Sequence, residues 1–484
     1  KLCFRGTINY CRRNVERFIE ICKGNKTLFW FSIFLIMHLK SFDLIINSKI
    51  SSFKNVIKVD SDKSLSIRSF LIGAISQKVS VVKNVLESED VKSTINACRK
   101  LGVKIEKIEP KTYKIYGKGL GSLFAKKNSI LNLGNSGTLA RLLIGILSTT
   151  PNIEIKILGD RSLSKRNMRE LINLMSKFGA LFLPKNKKNF PLKIISSNMP
   201  IGINYRAGVS AQLKSAVILA GLNSNGNTII KERVNSRDHT ENLLSKNKRA
   251  IKIKQGKEKI IKVFGKRQLK EINLNVRGDP SSAAFFVALT LLNSNSYIKI
   301  NNVGLNPTRI GFYKILMKQK AKLKFVNIKR ENNEISGDIL VQSCKLKPIK
   351  SAANMYASTT DEYLLLFLIA GLQNGVSIFK GISELANKES SRAHEMKKIL
   401  NQIGIKCILN KNEMKIFGKG MVDASNKKIV VGNLQDHRIA MCAFILAILT
   451  NAKASIKNFD TVFTSSPSFL KIMKTLGAKF EIQK

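Results

Sequence analysis

Acidic residues are scarce: the 484-residue chain has 32 Asp+Glu against 83 Lys+Arg, a formal net charge of +51. Two readings of that excess stand at this point. One is a nucleic-acid-binding surface; the other is drift of the whole composition toward Lys, Asn and Ile. Aromatics make up only 7%. The basic residues run along the whole length, without an Arg-rich arm or a basic stripe interleaved with aromatics, which favours drift. The run of about 18–20 apolar residues that a membrane-spanning helix requires is missing. The seven cysteines include no C-x-x-C pair, which argues against a disulfide framework or a zinc site and for a reduced, cytoplasmic setting. There are only four histidines, no H-E-x-x-H and no Walker A pattern, so neither a metal nor a nucleotide cofactor is expected.

What is present is enough for two domains: the length exceeds one ordinary core, and the hydrophobic fraction of 44% is that of a globular chain. The start reads differently from the rest. Residues 1–26 are basic and hold Cys3, Cys11 and Cys22, and Leu28–Leu39 is an apolar run of signal-peptide length without a small-residue cleavage site after it. The first methionine is Met37. Residues 1–36 are therefore expected to be a leader or an extension outside the fold.

The body is repetitive. An amphipathic helix, a glycine stop and a short alternating strand recur as Thr94…Gly102-Val-Lys-Ile, Leu171…Gly179-Ala-Leu-Phe, Met396…Gly404-Ile-Lys-Cys and Phe469…Gly477-Ala-Lys-Phe. Two weaker copies carry Lys248 and Lys320 in the glycine slot. Glycine serves there because a helix turning straight into a strand needs a left-handed residue, and each lysine is expected to cost about 1 kcal/mol. The recurring Gly-Lys-Gly of Gly117–Gly121 reads as a structural turn rather than a dinucleotide loop. Six helix–strand units predict an α/β fold of two domains with three units each.

Polar clusters interrupt the apolar text at Asp62-Lys-Ser, Gly134-Asn-Ser-Gly-Thr138, Ser210-Ala-Gln212, Ser236-Arg-Asp-His239, Arg277-Gly-Asp-Pro280, Thr360-Asp-Glu-Tyr363, Lys388-Glu389…Arg392 and Asp436-His-Arg438. Singly, each reads as a helix cap or a solvated turn. Together they put Ser, Lys, Arg and a few carboxylates at the starts of repeated helices. If those starts converge, they form a cleft with positive dipole ends and fixed cations, suited to phosphate and carboxylate substrates and to acid–base chemistry.

These clusters, with Asn306-Pro-Thr-Arg309 and in this order over about residues 45–484, resemble the 5-enolpyruvylshikimate-3-phosphate synthases of the enolpyruvyl transferase family. The resemblance implies two inside-out α/β domains of three repeats each. Residues 37–62 plus 279–484 would form one and 63–278 the other, with crossings near Asp62-Lys63 and Gly278-Asp279. It implies transfer of the enolpyruvyl group of phosphoenolpyruvate to the 5-hydroxyl of shikimate 3-phosphate by a cytoplasmic monomer, with no cofactor, metal, membrane or nucleic-acid partner. By that match Lys63, Ser64, Arg68, Ser210, Gln212, Ser236, Asp361 and Lys388 would hold shikimate 3-phosphate. Lys63, Gly137, Arg166, Gln212, Arg392 and Arg438 would hold phosphoenolpyruvate. Asp361 and Glu389 would move protons, with Lys63 assisting.

Departures from the family pattern fall on supporting positions: Asp60-Ser61 in place of Pro-Gly, Asn167 in place of Pro, Ala386 in place of Arg, Ser391 in place of Asp and Ser466 in place of Phe. They read as drift around intact catalytic charges, with Ser391 the most costly because it removes a carboxylate beside Arg392. Two alternatives stay open. One is the related enolpyruvyl transferase acting on UDP-N-acetylglucosamine, which typically uses a loop cysteine that this sequence lacks. The other is an inactive paralogue whose basic surface binds anions or nucleic acid.

Overall fold

The computed structural model describes residues 41–483. The expected leader over 1–36, the Leu28–Leu39 run and the three N-terminal cysteines lie outside the described residues.

Helices so apolar that they lack a polar face have only one place to go, the middle of a core. Pro280–Leu292 and His437–Thr450 are buried along their whole length, as is Tyr363–Gly371. These three bundle together in one domain, and Lys63–Ile75, Gly137–Thr149 and Ala211–Leu222 bundle in the other. Five of the six start on a side chain that accepts a backbone N–H of the first turn: Asp62, Ser136, Ser210, Asp279 and Asp436. Each such cap is worth about 1 kcal/mol and fixes where the helix begins.

Among the described residues six four-stranded sheets surround the two helix bundles, and all share one pattern. An edge strand runs parallel to its neighbour and two further strands follow antiparallel, as in Asn204–Ala207, Asn227–Glu232, Lys259–Phe264 and Ile251–Lys254. The described residues form two hydrophobic cores. One spans residues 65–276, the inserted domain; the other joins residues 42–59 to residues 283–478, the split domain.

The chain passes between the domains twice, and the two passes are paired. Asp62 N–H donates to Arg277 C=O and Asp279 N–H donates to Asp60 C=O, both at 2.8 Å. Ser61 and Gly278 form an antiparallel bridge between them. The Arg309 side chain, 2% exposed, donates to Asp62 at 3.0 Å and to Asp279 at 3.1 Å, so one buried guanidinium ties both crossings.

Four of the repeat glycines, Gly102, Gly179, Gly404 and Gly477, adopt φ between 83° and 94°, and Lys320 stands in the same slot at φ 59°. Lys248 does not. Its helix, His239–Leu244, ends early, and a turn from Leu244 C=O to Asn247 N–H and from Asn247 C=O to Ala250 N–H leads into the strand. The penalty expected at Lys248 therefore does not arise. Gly117–Gly121 is a turn that opens no helix: Gly117 N–H donates to Lys78 C=O, and Gly119 and Gly121 have positive φ. Among the described residues no helix is long and apolar enough to cross a membrane.

Candidate active site

The capped helix starts meet where the two domains face each other. A cleft of about 740 Å³ is lined by Ser64, Arg68, Arg166, Ser210, Gln212, Asp361, Lys388, Glu389 and Arg392. At one end a recess of about 40 Å³, room for a few water molecules, is walled by Lys63, Gly137, Arg166, Gln212, Glu389 and His437. Helix N-termini supply the backbone N–H groups here, at Lys63, Gly137, Ala211 and His437. Unpaired first-turn N–H groups and the macrodipole make such a place attractive to anions.

Charge is arranged in pairs across the gap. Arg166 of the inserted domain lies 3.4 Å from Glu389 of the split domain, and Arg237 lies 2.6 Å from Asp361. Within the split domain, the buried Arg392 reaches Asp436 at 3.0 Å, Asp361 at 3.4 Å and Glu389 at 2.6 Å. Arg438 adds contacts to Asp361 at 3.5 Å through Oδ2 and 3.2 Å through the carbonyl. Lys63 pairs with Asp90 at 3.0 Å. Arg68 is fixed by Thr240 at 2.9 Å, Ser64 C=O at 3.2 Å and Ser215 at 3.3 Å.

These surroundings set the ionisation of the site. Burial alone would raise the Asp361 carboxyl, but Arg237, Arg438, Arg392 and Lys388 outweigh it and hold it well below the usual carboxylate range. Glu389 is held low in the same way, burial being overcome by Arg392 and then Arg166. Burial, then Lys63 and Arg438, push His437 well below an ordinary imidazole, and its Nε2 has no partner. Burial pulls Lys388 down to about 8, opposed by Asp361 and helped by Arg392. The site thus suits anions: two ionised carboxylates stand beside several cations and a neutral imidazole.

Residues 48–473 match the family model described as EPSP synthase (3-phosphoshikimate 1-carboxyvinyltransferase). The chain belongs to the EPSP synthase family. Its relatives named 3-phosphoshikimate 1-carboxyvinyltransferase include that of Paramagnetospirillum magneticum, 35% identical over 87% of this chain and 94% of the relative. That of Ruthia magnifica is 37% identical over 89% of this chain and 97% of the relative. The EPSP synthase of Acinetobacter baumannii superposes with a TM-score of 0.78 at 32% identity, covering 92% of this chain and 100% of that one. The enolpyruvyl transferase NikO of Streptomyces tendae shares the fold, with a TM-score of 0.70 at 11% identity over 92% of this chain and 99% of that one.

The EPSP synthase fold brings together nearly every residue singled out in the sequence, with one exception. Ser236 is fully buried away from the cleft, and its hydroxyl donates to Glu232 at 2.6 Å. Glu232 also accepts from the fully buried Lys214 at 3.0 Å, so Ser236 belongs to an internal charge cluster. The neighbouring Arg237 turns into the cleft instead. Sequence reasoning had both in one motif and chose the serine.

Arg141, a turn along the helix from Gly137, lines the cleft and was missed, as was Asp90, whose surroundings in the sequence carry no signal. His239 is held by Glu334 at 2.8 Å and Arg309 at 3.1 Å. Ser391 is exposed, and Arg392 still reaches three carboxylates, Asp361, Glu389 and Asp436. Asn167 accepts the Arg169 N–H at 2.9 Å and helps start the helix Arg169–Lys177. Cys98, Cys407 and Cys442 are buried and Cys344 is half-buried; none lines the recess or the cleft, so among the described residues no thiol acid stands there.

Proposed function

We infer that this chain transfers the enolpyruvyl group of phosphoenolpyruvate to the 5-hydroxyl of shikimate 3-phosphate, releasing phosphate. The observation that carries the reading is Arg392: one guanidinium holds Asp361 and Glu389 at 3.4 and 2.6 Å, opposite Arg237 and Arg166 of the other domain. Two carboxylates within the span of one cation suit a base and an acid acting on adjacent atoms of a small substrate.

In this scheme phosphoenolpyruvate lies at the recess end of the cleft, with its phosphate and carboxylate on Lys63, Arg166, Arg392, Arg438 and the N–H groups near Gly137. Shikimate 3-phosphate lies along Ser64, Arg68, Ser210, Gln212 and Lys388. Its 5-hydroxyl gives its proton to Asp361 while the oxygen bonds to C2 of phosphoenolpyruvate and Glu389 delivers a proton to C3, making a methyl group. Glu389 then takes one methyl proton back. The C2–O bond to phosphate breaks, and the proton held by Asp361 leaves with the phosphate, whose charge Lys63 offsets. The protein is unchanged at the end.

The electrostatics support this order of events. Both carboxylates start ionised because cations crowd them. Incoming anions draw those cations away, so the proton affinity of Asp361 and Glu389 rises when substrate is present. A base that strengthens, and an acid that takes up its proton, only on binding ties the chemistry to a filled site.

The test is phosphate release from the purified chain. Release is expected only with both substrates, and Asp361→Asn or Glu389→Gln should lower turnover by about 10²–10⁴-fold with the circular dichroism unchanged. A folded wild type releasing no phosphate above background overturns the assignment.

A further inference from the structure

Asp60 takes no part in the reaction scheme, yet its carboxylate is 5% exposed and fully engaged. Oδ2 accepts the Ser468 N–H and Oδ1 accepts the Ser468 hydroxyl, both at 2.8 Å. The Ser466 hydroxyl also faces it and approaches Ser282 at the start of the helix Pro280–Leu292, Oγ to Oγ 3.3 Å. These contacts join distant stretches of chain: Asp60 and Ser468 are 408 residues apart.

Each partner lies a few residues from a wall of the recess. Asp60 precedes Lys63 on the first crossing, where its carbonyl accepts the Asp279 N–H at 2.8 Å. Ser468 follows Thr464, which lines the recess together with Lys63 and Asp90. The stretch between Thr464 and Ser468 is tightly folded. Ser465 and Ser466 N–H both donate to Val462 C=O, at 3.1 and 2.8 Å, and Thr464 Oγ1 donates to Thr461 C=O at 2.7 Å. The turn Phe459–Thr464 belongs to the split domain, yet it packs against the helix Glu89–Lys100 of the inserted domain, which bears Asp90. Two hydrogen bonds at Asp60 therefore join the stretch leading to Lys63 on one side of the recess to the stretch following Thr464 on the other.

We propose that Asp60 is a positioning residue for the phosphoenolpyruvate end of the site: by clasping Ser468 it fixes the turn carrying Thr464 at a set distance from Lys63. The clasp rests on the enolpyruvyl-transfer reading for its catalytic consequence, though not for its geometry. Two departures from the family pattern, Asp60 and Ser466, are then not independent drift but members of one polar contact. The clasp bears chiefly on phosphoenolpyruvate: of the groups along which shikimate 3-phosphate lies, Ser64, Arg68, Ser210, Gln212 and Lys388, only Gln212 borders the recess.

Three substitutions test it: Asp60→Ala, Asp60→Asn and Ser468→Ala. Losing a pair of hydrogen bonds to a carboxylate should raise KM for phosphoenolpyruvate about tenfold in Asp60→Ala, with KM for shikimate 3-phosphate within about twofold of wild type. Asp60→Asn keeps an acceptor for the Ser468 N–H and a donor for its hydroxyl oxygen, and should restore most of the loss. Ser468→Ala keeps the backbone bond, serves if Asp60→Ala fails to fold, and should raise the same KM by a few-fold. Amide exchange over residues 461–469 should speed up in both alanine variants. A lowered melting temperature with both KM values unchanged, or both KM values raised equally, overturns the proposal. An inactive wild type would sink the reaction assignment alone, and unaltered exchange over 461–469 would sink the clasp.

Discussion

Gly137 is where one methyl group should separate binding of one substrate from everything else. A Cβ built there would stand 2.5 Å from Arg166 Nη1 and 3.0 Å from Arg141 Nη1. Comfortable contact needs about 3.5 Å, so the Arg166 head must retreat by about 1 Å. It is not free to do so cheaply, because Nη2 donates to Asn135 at 2.7 Å and Nη1 faces Glu389 at 3.4 Å. Moving away breaks or lengthens one of these charge-assisted contacts and takes the cation off the position assigned to phosphoenolpyruvate. At about 1.5–3 kcal/mol for a hydrogen bond to a charged group, KM for phosphoenolpyruvate in Gly137→Ala should rise roughly 10–100-fold.

The fold should not suffer. Gly137 opens the helix Gly137–Thr149 and is not among the positive-φ residues, so Ala fits the backbone. Replacing a helical Gly with Ala favours the helix by up to about 1 kcal/mol. Steady-state phosphate release with each substrate varied in turn, beside a thermal melt, reads all three quantities. The reasoning fails if KM for phosphoenolpyruvate stays at the wild-type value, or if KM for shikimate 3-phosphate climbs in parallel.

The other expectations concern pH and stability. Lys388, pulled by burial to about 8, loses its charge as pH rises through that value. KM for shikimate 3-phosphate should therefore increase above about pH 8, and Lys388→Arg, which stays charged, should abolish the rise. The stability consequence has the opposite sign: a lysine whose folded value lies below its unfolded one burdens the fold while charged, so this contribution improves as pH climbs from about 8 toward 10, which chemical denaturation across that range would detect. Lys320→Gly should raise stability by about 0.5–1 kcal/mol by relieving a lysine held at φ 59°, whereas Lys248→Gly should not; paired thermal melts decide.

The repeat architecture was legible because it is written locally. A glycine after an amphipathic helix announces its own left-handed backbone, and four of the six stops took it, with Lys320 forced into the same turn. The caps at Asp62, Ser136, Ser210, Asp279 and Asp436 were equally local. The misses share a different cause. Whether Ser236 or Arg237 reaches the cleft depends on which way one loop turns: Glu232, only four residues before the serine, captures it, and Glu232 is itself held by Lys214 of the helix Ala211–Leu222. Asp90 meets Lys63 only after two helices pack, and His239 gains its carboxylate partner from a strand 95 residues away. Contacts made by tertiary packing leave no mark in spacing.

The split of one domain around the other also constrains the order of events while the polypeptide is being made. Residues 65–276 contain a whole core, closed when Asn273–Asn275 pairs with Val79–Lys83. The strand Asp43–Ile46 emerges earlier but pairs with Lys453–Ile456 and Glu481–Gln483. On the ribosome, the middle of the message can yield a finished body while the strand Asp43–Ile46 waits, its hydrogen-bonding edges unpaired, until residues 453–483 have been made.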